Sequence, residues 1–394
     1  MVDWLIRAAR RRPDRVAVEC ADGSLTYAEL LARAEAAEPP AVIDHPPGVD
    51  FVVALHACLL RGVPAVPLDP RLTPAERTAR RGAHGAGGLI VMHTSGTTSA
   101  PKPVRISAEN VLANAAGSAL ALGLDPGERW LCPLPLSHVG GLMVLLRSVL
   151  YATTAIVVPF DAAAVAARLN AGDATLVSVV PTMLGRLLDA GLRDPPNLRC
   201  LLLGGGPAGA DLVDRAVMAD VPVAQTYGLT EATSQVTVSA PGDPATAGWP
   251  LPGVEVTLAA DGEILVAGAV VAGGGVLRTG DLGRLDERGR LTVVGRRSDT
   301  IITGGENVAP EEVEEVLRAH PDVADAAVVG RPDPEWGEAL IALVIPAPGR
   351  PVEPAVLGAF CRDRLPRFKV PKAFEPAGEL PRTVSGKLQR RRLH

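Results

Sequence analysis

The chain reads as α/β: a large N-terminal domain of parallel-rich sheets covered by helices, extended by a β-rich subdomain, then a small α+β C-terminal domain. Three observations predict this. Between residues 108 and 226, short apolar strand patterns alternate with helical ones, the arrangement that buries parallel strands beneath helices. After about residue 250 the pattern changes to short strands punctuated by Asp261-Gly262 and Glu287-Arg288-Gly289 turns. From residue 298 mixed helices and strands return, which sets a boundary near Arg297 and two domains, 1–297 and 298–394.

Taken in order, residues 2–12 have the spacing of an amphipathic helix, 16–20 that of a strand, and Ser24-Leu25-Thr26-Tyr27 starts a second helix. Residues 50–62 are apolar and helical, and 64–68 read as a strand. The glycine-rich stretch 82–88 then delivers the chain to a strand at 89–92. Helices are predicted at 108–121, 140–151, 161–171, 181–190 and 209–219, with strands at 155–158, 175–179, 199–203 and 222–226 between them. The C-terminal part carries helices at 310–319 and 353–364 and strands at 324–329 and 339–345. The apolar run 140–160 has Arg147 within it and Pro159 at its end, so it reads as a helix and a strand rather than a membrane span. No internal repeat is evident.

Composition narrows the function classes. Of 394 residues 47% are hydrophobic but only 3% aromatic, so Ala, Val and Leu must build the core. The balance of 39 Lys+Arg against 44 Asp+Glu is mildly acidic and argues against nucleic acid as the main partner. Five scattered cysteines (Cys20, Cys58, Cys132, Cys200, Cys361) without a C-x-x-C pair indicate reduced thiols and a cytoplasmic protein. The N-terminus has no apolar signal core. Glu311, Glu312, Glu314 and Glu315 at helical spacing read as a solvated face, and Arg390-Arg391-Arg392 as a solvated tail. The oligomeric state stays open, a homo-oligomer included.

Several stretches carry chemistry. Thr94-Ser95-Gly96-Thr97-Thr98 follows a predicted strand; its small residues let backbone N–H groups turn inward as an anion nest, and the hydroxyls add donors. Lys102 adds a point charge suited to phosphate. This is not a Walker loop, since G-x-x-x-x-G-K-[ST] is absent. Gly204-Gly205-Gly206-Pro207 ends a strand where a flat ligand can approach the backbone. The next strand ends in Gln225-Thr226-Tyr227-Gly228-Leu229-Thr230-Glu231, offering an aromatic ring, a hydroxyl and a carboxylate for Mg²⁺. Arg278-Thr279-Gly280-Asp281 presents a carboxylate suited to ribose hydroxyls. Near the end, Lys387 follows a Ser-Gly bend, where its ammonium can neutralise a reacting carboxylate beside ATP phosphates held by the upstream loop.

In this order the stretches resemble the adenylate-forming superfamily of acyl- and aryl-CoA ligases, amino-acid-activating domains and beetle luciferase. The resemblance runs from Leu25-Thr26-Tyr27 to Lys387. Within the superfamily the chain looks most like the 2-succinylbenzoate–CoA ligases of menaquinone synthesis, on Pro133-Leu-Pro-Leu-Ser-His138-Val-Gly-Gly-Leu142, Leu202-Leu-Gly-Gly-Gly-Pro207 and the segment 225–235. Gly295-Arg-Arg-Ser-Asp-Thr-Ile-Ile-Thr-Gly-Gly-Glu-Asn307 and Lys369-Val-Pro-Lys372 also match. The resemblance implies ATP, Mg²⁺ and coenzyme A, a small carboxylic acid substrate and no membrane insertion. Residues 94–102 would hold the β- and γ-phosphates, Gly204 to Pro207 and Tyr227 would frame adenine, and Thr230 would lie by the α-phosphate. Glu231 would bind Mg²⁺, Asp281 and Arg296 the ribose, and Lys387 would bridge the acid and the α-phosphate. His138 looks like the family's gating and substrate histidine, with Ser234 and Gln235 as polar contacts to a dicarboxylate. The C-terminal domain would rotate about Ser298 so that Gly304, Gly305 and Glu306 line a pantetheine tunnel, and Lys369 and Lys372 are positioned either for CoA phosphates or as surface charges.

Two residues depart from the family pattern: Ser99 and Pro103 stand where glycine is usual. Pro103 lacks a backbone donor and Ser99 restricts a left-handed turn, both unfavourable to an ATP loop. The stretches 70–90 and 262–278 are also compact. The sequence therefore leaves three alternatives to the 2-succinylbenzoate reading: another aryl- or acyl-CoA ligase, a stand-alone adenylating enzyme loading a carrier protein, or a non-catalytic nucleotide-binding relative.

Overall fold

A computed structural model describes residues 2–70, 72, 77, 78, 80, 88–94, 102–304, 306–382 and 388–393. The chain forms two compact units. Residues 1–205, 215–256 and 266–277 make the first, and 206–214, 257–265 and 278–394 the second.

A nine-stranded sheet organises the first unit. Across it run Trp249–Pro250, Ser234–Val238, Val223–Leu229, Cys200–Leu203, Leu176–Val179, Arg129–Cys132, Thr154–Val157, Val16–Cys20 and Gly23–Thr26. The six strands from Val223–Leu229 to Val16–Cys20 are parallel, and the strands outside them are antiparallel. Every residue of Thr154–Val157, Leu176–Val179 and Cys200–Leu203 is buried, which is why these segments are mostly apolar, with only Thr154 and Ser178 polar, rather than alternating. The helices begin where their caps dictate. Thr26 and Glu29 form a capping box for Tyr27–Ala36, Ser107 and Asn110 one for Ala108–Leu122, Asp161 caps Ala162–Asn170, and Pro181 opens Pro181–Asp189.

The chain passes from Arg129–Cys132 to Thr154–Val157 on one side, then returns to Leu176–Val179 on the other. The carboxyl end of Arg129–Cys132 is thus the topological switch point, where open α/β sheets bind ligands. This central strand was not expected from the sequence; its four residues are too few to show a period. The expected strand at 64–68 makes only isolated bridges, Ala65 to Ile90 and Pro67 to Ile43, because Pro64 and Pro67 bring no N–H to a ladder. The strand expected at 89–92 is Ile90–Thr94, paired antiparallel to Lys102–Ile106 with Thr94 opposite Lys102.

In the second unit, Pro310–Arg318 and Pro354–Arg362 pack Val313, Leu317, Leu357 and Cys361 against Val328, Leu340 and Val344 of a five-stranded sheet. A four-stranded sheet of Val254–Leu258, Glu263–Gly268, Val276–Leu285 and Leu291–Arg296 has its last two strands antiparallel, with Asp281 opposite Arg296. The acidic helix face is not simply solvated. Arg390 turns back onto it, donating to Glu314 and, at 2.9 Å, to Glu311, with its Nε 3.4 Å from Asp299. Arg390 is half-buried, its side chain 12% exposed, so the expected solvated tail is an anchored one. Its acidic partners on the helix lie more than seventy residues earlier, and helical spacing could not reveal that. Among the described residues, no helix is long and apolar enough to cross a membrane.

Candidate active site

Strand Cys200–Leu203 ends in Gly204-Gly205 beside the parallel strand Val223–Leu229, with Leu203 opposite Gln225. A Cβ on Gly204 would lie 2.8 Å from the Thr226 methyl and 3.1 Å from the Thr226 carbonyl oxygen, so no side chain fits between these strand ends. Gly205, at φ +81°, and the exposed Gly206 and Pro207 leave the backbone open to a ligand.

Beyond its parallel partner, Val223–Leu229 pairs antiparallel with Ser234–Val238, and the two are joined by the 3₁₀ turn Thr230–Ala232. Thr233 and Ser234 have φ of +58° and +99°, left-handed backbone that non-glycine residues adopt only when their surroundings force it. The forcing contacts are long-range. Ala272 N donates to Glu231 O at 2.8 Å, Thr233 Oγ1 to Val270 O at 2.7 Å, and Asn110 Nδ2 to Ala269 O at 2.7 Å. Asn114 Nδ2 donates to Gln235 O at 2.8 Å, and Arg147 donates to Asn114 Oδ1 at 2.5 Å. Burial pushes the Arg147 guanidinium down to about 10, so it stays charged at neutral pH, 5.6 Å from the centre of the Trp130 ring. Sequence reasoning missed Asn110, Asn114, Arg147 and 269–272. The available signal was two asparagines one turn apart in an otherwise apolar helix.

This geometry places the sequence-identified residues unequally. Glu231 is half-buried, and among the described residues nothing hydrogen-bonds or ion-pairs with its carboxylate, a donor set suited to a hard cation such as Mg²⁺. Tyr227, Thr230 and Ser234 are half-buried at the same strand end. Gln235 is buried, its Oε1 accepting from Ser118 Oγ at 2.9 Å and its Nε2 3.4 Å from Thr226 Oγ1. His138 is exposed at the N-cap of Val139–Tyr151, at the switch point. Gly141 is needed in that helix's first turn, since its Cβ would lie 2.5 Å from Pro135 O. Lys102 is exposed at the loop end of the Ile90–Ile106 hairpin, opposite Thr94. Ser95, Gly96, Thr97, Thr98, Ser99, Gly305 and Lys387 lie outside the described residues.

The second unit carries its own group. Asp281 is buried, with Arg296 Nε 2.9 Å from its Oδ1. Ser298 is exposed in the turn Arg297–Asp299 and donates to Asp299 Oδ1 at 3.0 Å. Gly304, at φ +57°, donates its N–H to Trp336 O at 2.8 Å, and a Cβ there would lie 3.1 Å from the indole. Lys369 is committed to Glu312 at 2.6 Å, whereas Lys372 is exposed, its Nζ 4.0 Å from the centre of the Trp336 ring. The tail resumes at Leu388, bridged to Arg382, which reaches Asp325 at 2.6 Å. Burial raises the Glu311 carboxyl, with Arg390 opposing that shift. Among the described residues no cluster of three or more His, Cys, Asp or Glu could hold a metal.

A parallel sheet with glycine, aromatic and acidic residues at its carboxyl edge, followed by a lysine-bearing small unit, defines a nucleotide-activating enzyme. The AMP-binding enzyme family matches residues 86–277 and its C-terminal domain residues 312–387; the chain belongs to this family. Over 99% of its length it is 36% identical to the 2-succinylbenzoate–CoA ligase of Bacillus licheniformis, covering 99% of that protein. The Bacillus subtilis enzyme of the same name is 35% identical, with 99% and 97% covered. Among solved structures, the B. subtilis o-succinylbenzoate CoA synthetase with its acyl-adenylate intermediate superposes at TM-score 0.90 and 33% identity, covering 100% of this chain and 98% of that one. The same synthetase with ATP and magnesium gives TM-score 0.90 at 33% identity, covering 100% and 99%.

Proposed function

We propose that the protein is an ATP-dependent, AMP-forming acid–CoA ligase that acts on 2-succinylbenzoate in menaquinone synthesis. A carboxylate oxygen of the acid attacks the α-phosphorus and pyrophosphate leaves. The CoA thiol then attacks the acyl carbonyl, its proton is lost and AMP departs. The observation that carries this reading is the full-length likeness, at TM-score 0.90, to a synthetase bound to its succinylbenzoyl adenylate.

The chain's own residues supply what the first step needs. Two anions must meet while charge grows on the phosphoryl oxygens, so fixed positive charge and donors aimed there lower the barrier. Lys387 is assigned to the acid and α-phosphate, Lys102 and the hydroxyls of 94–98 to the β- and γ-phosphates, and Thr230 to the α-phosphate. Glu231, with its uncommitted carboxylate, would hold Mg²⁺, which supplies charge neutralisation on the phosphates when bound. Gly204 to Pro207 and Tyr227 are assigned to adenine, Asp281 and Arg296 to ribose, and His138, Ser234 and Gln235 to the acid. The second step needs Lys387 withdrawn; residues 298–394 are assigned to rotate about Ser298 and bring Gly304 and Gly305 to the pantetheine arm. The site of action is the cytoplasm.

The test is CoA-thioester formation with ATP and Mg²⁺ over 2-succinylbenzoate, benzoate, 4-hydroxycinnamate and medium-chain fatty acids. Strong preference for 2-succinylbenzoate is expected. Preference for another acid overturns the pathway assignment, and adenylate formation without thioester overturns CoA as the acceptor.

A further inference from the structure

The turn that carries Asp281 takes its shape from a residue outside every motif. Glu263, at the start of Glu263–Gly268, is 3% exposed. Its Oε1 accepts from Gly280 N at 3.0 Å, and its Oε2 accepts from Arg278 and, at 3.1 Å, from Arg297. Gly280 stands at φ +72°, a backbone conformation natural to glycine. The adjacent Ile264 completes the clamp: its carbonyl accepts from Thr279 Oγ1 at 2.8 Å, and Thr279 Oγ1 accepts from Asp281 N at 3.1 Å. Two neighbouring strand residues thus fix Thr279, Gly280 and Asp281 in succession. The Glu263 carboxylate is used up by a backbone amide and two guanidinium groups, so it has nothing left for a ligand.

We propose that Glu263 is a positioning residue for nucleotide recognition: through Gly280 it aims the Asp281 carboxylate at the ribose hydroxyls. This rests on the assignment of Asp281 to ribose. The arginine partners of Glu263 are 58% and 55% exposed, so they remain solvated when it is removed, and the loss falls on Gly280 N and the turn.

The experiment measures calorimetric affinities of the full chain for AMP and for 2′,3′-dideoxyAMP, which lacks both hydroxyls. The wild type should prefer AMP by about 10- to 100-fold, the worth of hydrogen bonds to a charged acceptor. Glu263→Ala should weaken AMP by about tenfold while leaving dideoxyAMP unchanged. Glu263→Gln keeps an acceptor for Gly280 N and should retain the preference. Should Glu263→Ala fail to fold, Glu263→Asp, which withdraws the carboxylate from Gly280, should lose affinity for AMP alone. A merely structural role weakens both nucleotides alike; that result, or an undiminished preference, overturns the proposal. Asp281→Ala separates the two levels. If it keeps the preference, the ribose assignment falls and this proposal with it. If it abolishes the preference and the Glu263 variants do not, the positioning role alone is wrong.

Discussion

Gly228→Ala tests whether the backbone crossing behind Glu231 is as tight as the structure requires. A Cβ at 228 would stand 1.8 Å from Ser234 O, 2.6 Å from Ser234 C and 3.0 Å from Gln235 Cα. All three are backbone atoms, so no rotamer relieves the clash, and restoring contact near 3.5 Å needs a shift of more than about 1 Å. Ser234–Val238 resists that shift, because Gln235 is held through its carbonyl by Asn114 and through its amide by Ser118. The displacement is therefore pushed into Thr230–Ala232, which carries Glu231. Overpacking of this kind costs about 1–3 kcal/mol of stability. A misplacement of about 1 Å in a reacting constellation costs about 10²-fold in rate. The assays are acid-dependent pyrophosphate release without CoA, thioester formation from supplied acyl-adenylate, and thermal unfolding. Pyrophosphate release should fall about 10²-fold, and by more than the second step. Gly248→Ala gives the comparison, since its Cβ would lie 2.0 Å from Val238 O, at the other end of the same strand. It should destabilise the protein without that selectivity. A folded Gly228→Ala protein that releases pyrophosphate at the wild-type rate would refute the reasoning.

Three further outcomes are expected. Lys387→Ala should abolish adenylation, by about 10²–10³-fold for loss of a preorganised charge, yet spare thioester formation from supplied acyl-adenylate; equal loss of both steps would sink the domain rotation. Arg390→Met leaves the buried Glu314 and the half-buried Glu311 without their cation and should cost about 3–5 kcal/mol, read as the shift in urea midpoint. Burial pushes the His56 imidazole from 6.5 down to about 4, so the unfolded chain takes up this proton first. The stability it contributes is complete above pH 6.5 and lost as pH falls toward 4, about 3 kcal/mol in all. Against the wild type, His56→Leu should lose about 2 kcal/mol less between pH 7 and pH 5 in urea unfolding, and an unchanged pH slope would contradict the burial.

How much of this was legible depends on how far apart in the chain the interacting groups lie. Local chemistry could be read directly. Thr26 with Glu29 and Ser107 with Asn110 cap helices three residues away, and buried strands such as Cys200–Leu203 announce themselves as apolar runs. The edge-lining groups Gly204 to Pro207 and Tyr227 to Glu231 were legible for the same reason, since each is a strand end followed by its own turn. Arg129–Cys132 was not, because four residues carry too little periodicity, although it stands where the topology reverses. Ser234–Val238 escaped as well, since its fold-back depends on left-handed Thr233 and Ser234, two residue types with no intrinsic preference for that backbone.

What the sequence hid most completely is what holds the site in shape. Asn114 meets Gln235 across 121 residues, Glu263 meets Gly280 across 17, and Arg390 meets Glu314 across 76. In each case one partner is an ordinary polar residue that, read alone, looks like a solvated surface group, and only its burial shows otherwise. Glu311 and Glu314 make the point most sharply, because their helical spacing is that of an exposed face until the tail brings Arg390 over it. Residues that meet the ligand can be recognised from the chemistry they offer, whereas residues that aim them are recognised only from what they touch. The Glu263 experiment therefore probes the half of the site that composition and motif could not supply.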